Sequence, residues 1–149
     1  MFGDFLKGLM APEPAPLVAT DARLALTALL VRVARSDHDY AAEEARLITR
    51  IARERYALTQ QEADQLLRDA ETLEHEAPDT VRFTRAIKDA VPYEDRLGVI
   101  EALWQVVLAD GQRTDEENAL LRLAANLLGV SDTESAMARQ RVERARRAN

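Results

Sequence analysis

Residues 21–52, DARLALTALLVRVARSDHDYAAEEARLITRIA, align without a gap on residues 94–125, EDRLGVIEALWQVVLADGQRTDEENALLRLAA. The offset is a constant 73, and nine positions are identical. They are Arg23/Arg96, Leu24/Leu97, Leu30/Leu103, Val33/Val106, Asp37/Asp110, Glu43/Glu116, Glu44/Glu117, Leu47/Leu120 and Ala52/Ala125. A window of this length and composition yields about two or three identities by chance. The chain therefore carries an internal repeat. Each copy reads as a helix, a short acidic turn and a second helix that opens on Glu-Glu. Two such copies can pack face to face about a pseudo-twofold axis and bury their shared leucine and valine stripes.

Working outward, the first helix is expected from about Thr20 to Arg35, with Leu24, Leu26, Leu29, Leu30 and Val33 inward at helical spacing. The turn Ser36-Asp37-His38-Asp39 ends it. A second helix runs from about Ala41 to Arg55 and gathers Leu47, Ile48, Ile51 and Ala52 on one face. Thr59-Gln60-Gln61-Glu62, Thr114-Asp115-Glu116-Glu117 and Ser131-Asp132-Thr133-Glu134 have the form of capping boxes and place three further helix starts. Glu76-Ala77-Pro78-Asp79 marks another boundary, followed by a short helix over Val81–Ala90. Pro92 can occupy the first turn of the next helix. Its inward set is Leu97, Ile100, Leu103, Trp104, Val107 and Leu108. Gly129 reads as the residue just past a helix end. Nothing reads as a strand. The expectation is an all-α, duplicated helix-turn-helix bundle of about seven helices over residues 20–149.

Residues 1–19 stand apart. Phe2, Phe5, Leu6 and Leu9 make a short amphipathic piece, and Ala11-Pro12-Glu13-Pro14-Ala15-Pro16 tethers it as a semi-rigid linker. The piece can dock back on the bundle, bind a protein partner or lie peripherally on a membrane. Ten residues make a weak membrane anchor, so docking or self-association is the expected use.

Bulk composition narrows the function classes. The chain has 149 residues, 47% hydrophobic and 31% charged, with aromatics at 5%. It has no cysteine, which removes disulfides, thiolate metal sites and thiol catalysis. No apolar run approaches the roughly 20 residues that span a bilayer. No signal-like segment opens the chain, so a cytoplasmic location is expected. Net charge is −6. The segment 139–149 holds Arg139, Arg141, Arg144, Arg146 and Arg147 against one glutamate, so the rest of the chain is more acidic still. An acidic body repels nucleic acid and attracts cations or basic partners. The arginine-rich end suits a solvated last helix, whose C-terminal dipole favours positive charge. Nucleic acid is not an expected partner.

Outside its apolar stripe the repeat keeps an aspartate at the end of the first helix and a glutamate seven residues later: Asp37 with Glu44, and Asp110 with Glu117. A turn between them can fold both carboxylates toward one point. Asp39, Glu43, Asp115 and Glu116 add negative charge, and such clusters repel unless a cation, an arginine or a proton intervenes. Oxygen-only sets suit calcium, magnesium or manganese, and His38 can add a nitrogen that favours zinc. A plainer reading competes. Acids at helix starts are favoured by capping and by the dipole, and Thr114 can cap with Glu117. Arg35, Arg46, Arg113 and Arg122 lie close enough in sequence to neutralise the acids. The twelve-residue ligand rhythm of an EF-hand is absent. Catalysis is not expected: the histidines are only His38 and His75, and no glycine-rich phosphate loop occurs.

These segments, Ala34-Arg35-Ser36-Asp37 through Glu44 and Leu108-Ala109-Asp110-Gly111 through Glu117, resemble the tellurite-resistance TerB-like family over about Thr20 to Arg141. The resemblance implies a duplicated all-helical bundle with an acidic surface, a role in tellurium-oxide and other chemical stress, and scaffolding at the inner membrane face. It also implies divalent-cation binding at Asp37, Glu44, Asp110 and Glu117. The first copy departs from the family pattern, with His38 where the second has Gly111. Two functions follow as expectations. One is a non-catalytic stress-response module with a cation site between the repeats. The alternative is a scaffold whose acidic face binds a basic protein partner without metal.

Overall fold

A computed structural model describes residues 19–36, 40–76, 80–109 and 115–148. The amphipathic piece and linker of residues 1–18 lie outside the described residues, as do Asp37–Asp39, Ala77–Asp79, Asp110–Thr114 and Asn149. Seven helices make up the described residues: α1 Ala19–Arg35, α2 Ala42–Tyr56, α3 Gln60–Glu76, α4 Thr80–Ala90, α5 Tyr93–Ala109, α6 Asp115–Leu127 and α7 Asp132–Ala148. No strand occurs among them. No helix among them is long and apolar enough to cross a membrane.

The first helices of the two repeats, α1 and α5, pack against each other at the centre. Both are apolar on nearly every face, the pattern of a helix enclosed by others. Ala25, Leu26, Ala28, Leu29, Leu30, Val31 and Val33 are buried on α1, and Val99, Ile100, Leu103, Val106 and Val107 on α5. Each fully buried leucine or isoleucine contributes roughly 1.5–3 kcal/mol relative to exposure. Thr27, inside this core, satisfies its hydroxyl by donating to the Arg23 carbonyl at 2.7 Å. Helices α3 and α4 flank α1, α7 flanks α5, and α2 and α6 pack on the first helix of each repeat. Helix α4 bridges the copies, with Phe83 and Ile87 buried against α1 and α6. Leu47, Leu97 and Leu108, expected inward, are half-buried at the margin of the core. They sit where an outer helix ends or a groove opens.

The duplication extends further than the 32-residue window. Helix α2 ends at Ala57 with φ 53, and α6 ends at Gly129 with φ 77. In both cases the next amide donates back five residues, Leu58 N to Arg53 O at 3.1 Å and Val130 N to Ala125 O at 2.9 Å. This is the Schellman arrangement that satisfies the last carbonyls. Each turn leads into a reciprocal capping box. Thr59 Oγ1 accepts from the Glu62 amide at 3.1 Å while Glu62 accepts the Thr59 amide at 2.9 Å. Ser131 and Glu134 do the same, both at 3.1 Å. The offset between these third-helix features is 72, one less than before. A one-residue shortening near the end of α6 hides the continuation from ungapped alignment. The repeat unit is thus three helices, α1–α3 and α5–α7.

Candidate functional site

The predicted ligands are divided by the structure. Asp37, His38, Asp39 and Asp110 lie outside the described residues. Glu43 and Glu44 occupy the first turn of α2, and Asp115, Glu116 and Glu117 the first turn of α6. The two repeat-related glutamates differ in environment. Glu44 is half-buried and reaches back to accept the Ala41 amide at 3.2 Å. Ala41 has no side-chain acceptor, so Glu44 supplies half of a capping box. Glu117 is 2% exposed and engaged, not isolated. A buried carboxylate is costly unless paired or hydrogen-bonded. Glu43, Asp115 and Glu116 are exposed.

Glu43 and Glu44 line a cleft of about 660 Å³ together with Ala41, Arg46, Leu47, Arg50 and Ala109. Ala109 is the last residue of α5 and leads directly into Asp110. Among the described residues, the second repeat's contribution to this cleft is Ala109. The described charge in that cleft is balanced, two glutamates against Arg46 and Arg50. Among the described residues, no group of three or more aspartate, glutamate, histidine or cysteine side chains is placed to hold a metal.

Of the arginines expected beside the acids, Arg46 is in the cleft. Arg35 is committed elsewhere. Its guanidinium approaches Glu74 at 3.5 Å and lies 5.1 Å from the Tyr40 ring centroid. Arg122 faces a different groove, between α6 and α7, beside Asp132 and Arg139. Arg113 lies outside the described residues. Close to the turn that ends α1, Tyr40 donates to Glu71 Oε2 at 2.7 Å. Burial first, and that hydrogen bond second, hold its phenol well above the ordinary tyrosine range. Arg32 reaches Glu74 Oε2 at 3.3 Å and stacks over Phe83 at 4.7 Å. This network ties α1 to α3 and α4 and has no equivalent in the second repeat, where Gln105 and Leu108 replace Arg32 and Arg35.

One repeated residue has a role that the acidic pattern obscured. Arg23 lies 5.6 Å from the ring of Tyr56, at the C-terminus of α2. Arg96 bonds the carbonyls of Lys88, Val91 and Leu128 at 2.8, 3.1 and 3.4 Å, the last at the end of α6. In both copies this arginine sets positive charge at a helix C-terminus, where the dipole favours it. Its conspicuous identity across the repeat was the available signal.

Comparison with known proteins gives one positive result. The family model described as tellurite resistance protein TerB matches residues 23–140. No curated protein matches the chain, and no solved structure does.

Proposed function

Since the chain belongs to the tellurite resistance protein TerB family, we propose that it acts as a non-catalytic module of chemical-stress response whose acidic turns take up a divalent cation between the two repeats. The observation that carries this reading is the shared cleft. Glu43 and Glu44 of the first copy line it with Ala109, one residue before Asp110 of the second. On this reading the aspartate and glutamate that each repeat keeps seven residues apart converge on that cleft. Carboxylate oxygens in that setting match calcium, magnesium or manganese. His38 would shift the preference toward zinc if it joins.

The test is thermal unfolding of metal-stripped protein, with and without each ion, beside an Asp110→Asn/Glu117→Gln variant. A cation at 100 times its Kd stabilises the native state by about 2.7 kcal/mol, a midpoint rise on the order of 10 °C for a domain of this size. The variant is expected to lose that rise. No ion-specific shift, with the variant as stable as the parent, would remove the cation reading.

The second reading, a metal-free acidic docking face, is favoured by the exposure of Glu43, Asp115 and Glu116 on the first turns of α2 and α6. A basic protein partner bound there would release at raised ionic strength and on replacing these three acids by their amides. Capture insensitive to both changes would count against it.

A further inference from the structure

Helices α2, α5 and α7 enclose a second groove, of about 400 Å³, on a chain that is acidic overall. Arg50, Arg55, Arg141 and Arg146 line it, opposed by only Glu54 and Glu101. Glu101 is spent on Arg141, whose Nε donates to Oε1 at 2.7 Å. Among the described residues Arg50 and Arg146 have no ion-pair partner. The floor is Gly98. A methyl group there would lie 2.9 Å from Arg55 Nη1 and 3.2 Å from Nη2. The absence of a side chain at 98 is what lets the Arg55 guanidinium lie across α5 and into the groove. Nothing in the helix itself asks for glycine, which costs about 1 kcal/mol relative to alanine in a helix interior.

We infer that this groove binds a small phosphate-bearing molecule with two or more negative charges, through Arg55, Arg146 and Arg50. The planar guanidinium fork matches phosphate oxygens in bidentate fashion. The groove volume falls in the range of small-ligand sites, roughly 300–1,000 Å³. The chemistry is common to a free phosphate compound and to an anionic lipid headgroup. It adjoins the acidic cleft, with which it shares Leu47 and Arg50, so the test is run in EDTA to remove any cation bound there.

The experiment is titration calorimetry of the full chain with pyrophosphate in EDTA at an ionic strength of about 0.15 M, where the Debye length is about 8 Å. A parallel flotation assay uses phosphatidylcholine vesicles with and without phosphatidic acid. Pyrophosphate binding identifies a free phosphate compound. Binding confined to phosphatidic acid vesicles identifies a headgroup. In either arm Arg55→Gln/Arg146→Gln is expected to weaken binding at least tenfold, and Gly98→Ala several-fold through displacement of Arg55. The alanine variant keeps or gains helix stability, so its loss of binding is not a loss of fold. Arg144→Gln/Arg147→Gln, with the same total charge change but both arginines on α7 and outside the groove lining, is expected to bind like the parent. Failure of both arms overturns the inference. So does unchanged affinity in either groove variant, or an equal loss in the Arg144/Arg147 control.

Discussion

Ala57 and Gly129 hold equivalent places in the two repeats and pose the same backbone problem. Both have positive φ, 53 and 77, in the left-handed region that favours glycine. Only the second copy has the residue suited to it. The left-handed conformation costs an L-residue with a Cβ roughly 1–2 kcal/mol. Ala57→Gly is therefore expected to raise stability by about 1 kcal/mol and Gly129→Ala to lower it by about the same. Urea midpoints at unchanged slope would establish both signs. The two capping boxes bear on pH. Backbone and side-chain hydrogen bonds from Thr59 lower the pKa of Glu62 below 4.5, and those from Ser131 do the same for Glu134. A lowered folded-state pKa stabilises above the unfolded value and loses that contribution as pH falls through the folded value. Thr59→Ala is expected to cost about 1 kcal/mol at neutral pH, and Glu62→Gln, which removes the titrating group held by the Thr59 amide, to flatten the decline of stability below pH 4.5. An acid arm identical to the parent's would refute the linkage.

At the scale of elements, α1 and α5 do unequal work despite their shared ancestry in sequence. Helix α1 is covered by α3, α4, α5 and α2, whereas α5 opens toward grooves on both sides. The difference is visible in repeat-related leucines. Leu24 is buried and Leu97 is half-buried. Leu30 and Leu103 are both fully buried, at 1% and 0% exposure. Replacing either of the latter by alanine is expected to cost 2–5 kcal/mol, whereas Leu97→Ala should cost visibly less than Leu24→Ala. Denaturant titration of the four variants decides this. Equal costs at 24 and 97 would mean that the half-buried position packs as tightly as the core.

For the whole molecule, one continuous core joins both repeats and α4. Neither copy buries its first helix alone, because α1 needs α4 and α5 against it. Unfolding is expected as a single transition. Trp104, in the second repeat, reports that half by fluorescence, while far-ultraviolet dichroism reports every helix. The two urea curves should coincide. A fragment of residues 19–76 should lack a cooperative transition. Separated curves, or a fragment that melts cooperatively, would show that each repeat folds as its own unit. Charge at this scale is segregated as well, with acids on the first turns of α2 and α6 and arginines in the groove between α2, α5 and α7.

The order of helices was legible in the chain because it rests on local physics. Capping boxes at Thr59 and Ser131, a positive-φ glycine at 129 and apolar spacing along α1 and α5 act within a few residues and leave their mark in sequence. The repeat and the family resemblance were legible for the same reason, since identity at a fixed offset requires no knowledge of contacts. The three-helix extent of the repeat was not, because a single deleted residue breaks the register that alignment follows. Nor was the site as a place. Spacing alone put Asp110 and Glu117 in one group, but only packing brought Ala109 beside Glu43 and Glu44, assigned Arg35 to Glu74, buried Glu117 and laid Arg55 over Gly98. Those outcomes depend on which helices meet. That choice is made by the burial of α1 and α5 against elements far away in the chain, so tertiary structure alone decided it.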